Sequence, residues 1–76
     1  MALQREKFEV LEVAGIEYLV HWEDLRPGSS FFIPTLVQAS VVEQAVRPAA
    51  RAYRIKLKVV NRCERGVYGA RIWRIA

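Results

Sequence analysis

The sequence predicts an α+β fold: a small antiparallel sheet with elements in the order ββ(β)αββ and one helix packed across it. Three observations lead there. Phe8 to Trp22 and Arg54 to Ile75 alternate apolar and polar residues over much of their length, the period of half-buried strands. Between them, apolar side chains at Val42, Ala45, Val46, Ala49 and Tyr53 recur at helical spacing. The 76 residues suffice for one domain, residues 1–76, with a thin core.

The first element is a hairpin. A two-residue loop at Ala14-Gly15 would set Glu12 opposite Glu17, and like charges in cross-strand pairs repel. It would also require Ala14 at positive φ. A three-residue turn, Val13-Ala14-Gly15, is therefore expected, pairing Glu12 with Ile16. That register gathers Phe8, Val10, Ile16, Tyr18, Val20 and Trp22 on one face and leaves Lys7, Glu9, Glu17 and His21 on the other. Trp22 to Leu25 reads as a single helical turn, stopped by Pro27-Gly28 as a type II turn. Ser30 to Ile33 is a short apolar strand ended by Pro34.

Ser40-Val41-Val42-Glu43 has the form of a capping box, so the helix is expected to start at Val41. Glu43, Arg47 and Arg51 run along its solvent side. Pro48 removes a backbone donor in mid-helix, and a kink or break is expected there. In the last third, Ile55, Leu57 and Val59 face inward and Arg54, Lys56 and Lys58 outward. Residues 61–67 are expected to form a polar loop, and Tyr68 to Ile75 the closing strand.

The composition, 53% hydrophobic and 26% charged, is that of a globular chain. The apolar share is high for this size, so cover by a second copy or a partner is expected for part of it. A single cysteine, Cys63, excludes an internal disulfide. Arg5, Glu6, Lys7 and Glu9 interrupt any leader-like apolar run. The longest uncharged stretch, Pro27 to Val42, falls short of the roughly 20 residues of a spanning helix. A cytoplasmic protein with no membrane partner is expected.

Catalytic chemistry finds little to work with. His21 and Cys63 are the sole histidine and cysteine and lie on different elements. A metal would need three or four convergent ligands, and Gly28-Ser29-Ser30 lacks the spacing of a phosphate loop. No enzyme, metal or cofactor is expected.

Charge is more informative. Residues 1–46 hold three basic and seven acidic side chains, a net −4, and residues 47–76 hold nine basic and one acidic, a net +8. The basic half interleaves cations with aromatics. With Tyr68, Ala70 and Ile72 facing in, Arg71 and Trp73 stand outward beside Lys56 and Lys58, a surface suited to phosphate contact and base stacking. Arg47, Arg51, Arg54 and Arg74 complete the candidate nucleic-acid-binding set. The opposite register turns Trp73 inward, where a flanking arginine would stack on it. A host protein is the other candidate partner, meeting Phe31, Phe32, Ile33 and Leu36 or the acidic hairpin face of Glu9 and Glu17. The charge split also suits a homodimer that joins the acidic half of one copy to the basic half of another.

Gly28-Ser29-Ser30-Phe31-Phe32-Ile33-Pro34, and Gly69-Ala70-Arg71-Ile72-Trp73-Arg74 after the helix, resemble small accessory proteins of bacteriophages and prophages. Those share a Gly-x-Ser-Phe-Phe-(Val/Ile)-Pro segment, a basic Ala-rich helix and a terminal Gly-x-Arg-(Val/Ile)-Trp-Arg strand. The likeness spans about residues 22–75 and assigns no residue a role. It implies a setting, the cytoplasm of an infected bacterium, in which either a nucleic-acid-binding regulator or an inhibitor of a host protein would act.

Overall fold

The computed structural model describes residues 8–76. Along the chain run β1 (Glu9–Val13), β2 (Ile16–Val20), a 3-10 turn (Trp22–Asp24), β3 (Ser30–Pro34), α1 (Ala39–Tyr53), β4 (Leu57–Glu64) and β5 (Val67–Arg74). This is the α+β architecture expected, with the strands divided between two antiparallel sheets: the β1–β2 hairpin and a three-stranded sheet in the order β3-β5-β4. The helix packs on β4, on β1 and on the 3-10 turn, so it joins the two sheets. Leu11, Val13, Val20, Trp22, Ile33, Val42, Val46, Ala70 and Ile72 form the shared core.

The first hairpin departs from expectation. Its loop is the two-residue Ala14-Gly15, both at positive φ (53° and 84°), and Glu12 does stand opposite Glu17. This turn matches the right-handed twist of its strands. The two glutamates are exposed, where like-charge repulsion costs under about 1 kcal/mol. In return the register turns Leu11 and Val13 inward, and full burial of such a side chain is worth about 1.5–3 kcal/mol. Shifting pairing by one residue exchanges the faces of a strand. Phe8 and Val10 accordingly point outward and are more than half exposed, as is Ile16 at the tip, while Tyr18, Val20 and Trp22 face the core as expected. Glu9 does not share a face with Glu17; it accepts a hydrogen bond from the Tyr53 hydroxyl at 2.5 Å, which pushes the Tyr53 pKa up to about 12. Lys7 lies outside the described residues.

The Pro27-Gly28 turn forms as read, with Gly28 at φ 89° and Ser29 N–H donating to Arg26 O at 2.9 Å. The helix start does not. It begins at Ala39, and no side chain of the expected Ser40 capping box bonds its first turn. The cap comes from another element: Asn61 Oδ1 on β4 accepts the Ala39 N–H at 2.8 Å, and Asn61 Nδ2 donates to Val37 O and Gly69 O at 3.3 and 3.4 Å. The helix also runs unbroken past Pro48. Core contacts on both sides hold it, Val42 and Val46 before and Ala49 and Tyr53 after. The Gln44 carbonyl that Pro48 leaves without a helical donor belongs to an exposed residue, within reach of water. At the far end Arg54 adopts the left-handed conformation (φ 57°), with Arg54 N–H donating to Arg51 O and Ile55 N–H to Ala50 O, a Schellman closure built on a non-glycine residue.

The expected loop over 61–67 contracts to Arg65-Gly66, again both at positive φ, and β4 continues through Glu64. Asn61 is thereby part of the sheet, facing the helix. Asn61→Ala should lower stability by about 1–2 kcal/mol through loss of the cap, some 5–15 °C in Tm for a domain of this size. Ser40→Ala should leave Tm nearly unchanged in the same thermal melts.

Candidate nucleic-acid interface

The position of β5 at the sheet centre decides which side chains share a face. Across the strands the register forms the rows Ser30–Trp73–Lys58, Phe32–Arg71–Val60 and Pro34–Gly69–Arg62. The alternate rows, Phe31–Ile72–Val59 and Ile33–Ala70–Asn61, carry the buried residues that meet the helix. Trp73 and Arg71 therefore lie on the face away from α1, with Lys58 directly across the strand pair from Trp73. Trp73 is partly buried, and Lys58 and Arg62 are exposed. Lys56 continues the alternation; its backbone bonds Ile75 and Ala76 beyond the strand end.

Arg71 is held rather than free. Its Nε and Nη2 donate to the two Glu64 oxygens at 2.7 Å each, and Nη1 donates to Ser30 Oγ at 2.8 Å. The guanidinium lies over the Phe32 ring, 5.7 Å from its centroid. Arg62 reaches the same carboxylate at 3.2 Å. The hydrogen bonds from Arg71, with the charges of Arg71, Arg62 and Arg65 behind them, hold the Glu64 carboxyl below its ordinary value. Glu64 thus offsets cation charge at the centre of the face, whereas Lys56 and Lys58 make no ion pair among the described residues.

Phe32 can lie flat here because of Gly69. A Cβ at residue 69 would stand 2.6 Å from the tip of the Phe32 ring and 2.2 Å from the Ile33 carbonyl oxygen.

The eight candidate residues do not form one surface. Lys58, Arg71 and Trp73 share the open sheet face, with Lys56 at its margin. Arg47 and Arg51 are exposed on α1, across the sheet from Trp73, and Arg47 lies 3.9 Å from Glu43. Arg54 closes the helix. Arg74 falls in the helix-side row with Leu57 and is tied down, Nη1 donating to Leu25 O at 2.8 Å and Nε to Ala76 O at 3.1 Å. Phe32 and Arg62 belong to the face and were not among the candidates. Their signal was parity: Phe32 alternates with the inward Phe31 and Ile33, and Arg62 continues the 54, 56, 58 series once β4 extends through it.

His21 is largely covered, its ring 5.1 Å from Phe8 and its Nδ1 2.9 Å from Asp24 Oδ2. Cys63 is a free, exposed thiol. Among the described residues no cluster of three or more His, Cys, Asp or Glu is arranged to hold a metal ion, and no helix is long and apolar enough to cross a membrane. No family model, curated protein or solved structure matches the chain.

Two consequences are measurable. Gly69→Ala should destabilise the fold by about 1–3 kcal/mol, the usual cost of overpacking, read from denaturant midpoints. Because Glu64 has a depressed pKa in the folded state, its ion pair stabilises the protein above the unfolded value of 4.5 and ceases to do so as pH falls through the folded one. Wild type should therefore exceed Glu64→Gln in stability at pH 7, and the gap should close as the pH drops below 4.5.

Proposed function

We propose that the chain is a non-enzymatic accessory protein that binds single-stranded nucleic acid on the open face of its three-stranded sheet. The observation that carries this reading is the cross-strand pair of Trp73 and Lys58 on a face that no helix covers among the described residues. An indole beside an ammonium that makes no ion pair among the described residues offers a base a stacking plane and its phosphate a cation. Phe32, layered under the Arg71 guanidinium, supplies a second flat surface diagonal to Trp73, and arginine planes accept stacked bases as aromatic rings do. A broad sheet of this kind suits splayed single-stranded bases better than the narrow groove of a duplex. Arg47 and Arg51 lie across the sheet and add a general attraction for polyanions rather than contacts at the face. The phage-like segments suit such a protein at work in a bacterial cytoplasm. A protein partner is the second reading, and it draws on another surface, the exposed Phe8, Val10 and Leu19 beside Glu12 and Glu17 on the outer side of the hairpin.

Fluorescence anisotropy with labelled single-stranded and duplex DNA and with RNA, at several salt concentrations, tests the proposal. Single strands should bind more tightly than duplex, and log Kd should vary with log salt with a slope of about 0.7 per phosphate neutralised. Trp73→Ala should cost about 1–3 kcal/mol, the worth of one stacked base. Replacing Lys56 and Lys58 by Ala should flatten the salt slope by about one phosphate each. Trp22 is buried at 3% exposure, so quenching of tryptophan emission by an oligonucleotide would report Trp73. Absence of binding to any of the three nucleic acids at low salt would overturn the proposal.

A further inference from the structure

The hairpin and the three-stranded sheet border a groove of about 400 Å³, which the buried Val20, Leu25 and Ile33 line together with the more exposed Leu19, Asp24 and Phe32. Both of its walls are strand edges, since among the described residues β2 pairs only with β1 and β3 only with β5.

The direction of the backbone groups follows from the registers. The two-residue turn makes Val13 and Ile16 a hydrogen-bonded pair, and the antiparallel alternation then directs Tyr18 toward Leu11 and turns the N–H and C=O of Glu17 and Leu19 to the open edge. In β3, the bonds from Arg74 N–H to Ser29 O and from Thr35 N–H to Tyr68 O direct Phe31 and Ile33 toward β5. The backbone groups of Ser30 and Phe32 are left facing the groove. Pro34 O faces it too, and it accepts a hydrogen bond from the Tyr18 hydroxyl at 2.5 Å. The two edges are thus held apart by the length of a tyrosine side chain, not joined by backbone bonds. A strand hydrogen-bonded to either edge would lie about 4.7–4.9 Å from it.

We propose that this groove binds an extended segment of a partner protein, which adds a strand between β2 and β3 and unites the two sheets. Backbone bonds to Leu19 on one wall and Phe32 on the other supply affinity, and alternate side chains supply selectivity. Residues pointing inward meet Val20, Leu25, Phe31 and Ile33 and are apolar. Residues pointing outward meet the mouth, which Asp24 lines with an exposed carboxylate, in the half of the chain that carries net −4. The matching segment alternates apolar and basic residues.

The test uses a fluorescein-labelled octapeptide of alternating valine and lysine, titrated against the full chain by anisotropy. Saturable binding is expected. N-methylation of either alternate set removes the donors to one wall and should weaken binding about tenfold or more, the effect of losing several backbone hydrogen bonds. Glutamate in place of lysine should weaken it as well. Leu19→Pro, which deletes a donor on an open edge where proline is tolerated, should do the same. Trp73→Ala should leave peptide binding intact, so this proposal and the nucleic-acid one fail separately. Lack of saturable binding, or equal binding of the N-methylated and parent peptides, would overturn the proposal. So would a chain that sediments as a dimer and excludes the peptide, which would give the groove to a second copy.

Discussion

The Asn61 carboxamide ties the first turn of the helix and the loop before it to the sheet. It accepts from the first N–H of the helix and donates to the loop before the helix and to the central strand. Helix N-termini leave four donors without intrahelical partners, and most helices satisfy one of them with a neighbouring residue. Here the acceptor stands on a strand folded against the helix. The start of α1 is therefore defined only when β4 lies beneath it, so the helix and the sheet depend on each other.

Once the helix is seated, it gives the hairpin its core. An isolated two-stranded ribbon is marginal in water, and this one is held by Leu11, Val13 and Trp22 in the shared cluster and by the Tyr53–Glu9 and Tyr18–Pro34 hydrogen bonds. Because α1 occupies one side of the three-stranded sheet, the other side stays open. The same packing decision thus creates both surfaces of functional interest: an aromatic and cationic sheet face, and a groove where two strand edges fail to meet. Electrostatics then sharpens the first. Glu64, the one acidic residue of the basic half, holds Arg71 over Phe32, while Lys56 and Lys58 make no ion pair among the described residues.

Much of this was legible in residue patterns. Alternation across Arg54 to Val59 and Tyr68 to Trp73 marked two strands with two faces each, because side-chain parity along a strand is a local property, but it left open which face Trp73 takes. Helical spacing likewise identified Val42, Val46 and Tyr53 as the packed side of α1, and Pro27-Gly28 announced its turn. The misjudged features share a cause. The Glu12–Glu17 repulsion is screened by solvent and is outweighed by the burial of Leu11 and Val13, a term that exists only once α1 covers them. The capping box at Ser40 competed with an acceptor from Asn61, twenty-one residues away in the chain. The break expected at Pro48 belongs to an isolated helix, not to one gripped on both sides of its proline.

The candidate site divided for the same reason. Nothing local distinguishes Arg71 from Lys58 or Arg74, since each is a cation in an alternating strand. Their fates differ because Glu64, Ser30 and the Leu25 carbonyl come from other elements. By itself the sequence determined the α+β order of elements, the segregation of acidic and basic halves and the alternation within the last two strands, all properties of spacing and charge along the chain. Only the tertiary structure decided which face Trp73 takes, which cations make no ion pair among the described residues, where the helix begins and that the strands separate into two sheets. Those outcomes rest on hydrogen bonds and burial between residues distant in sequence, whose energies no local pattern contains.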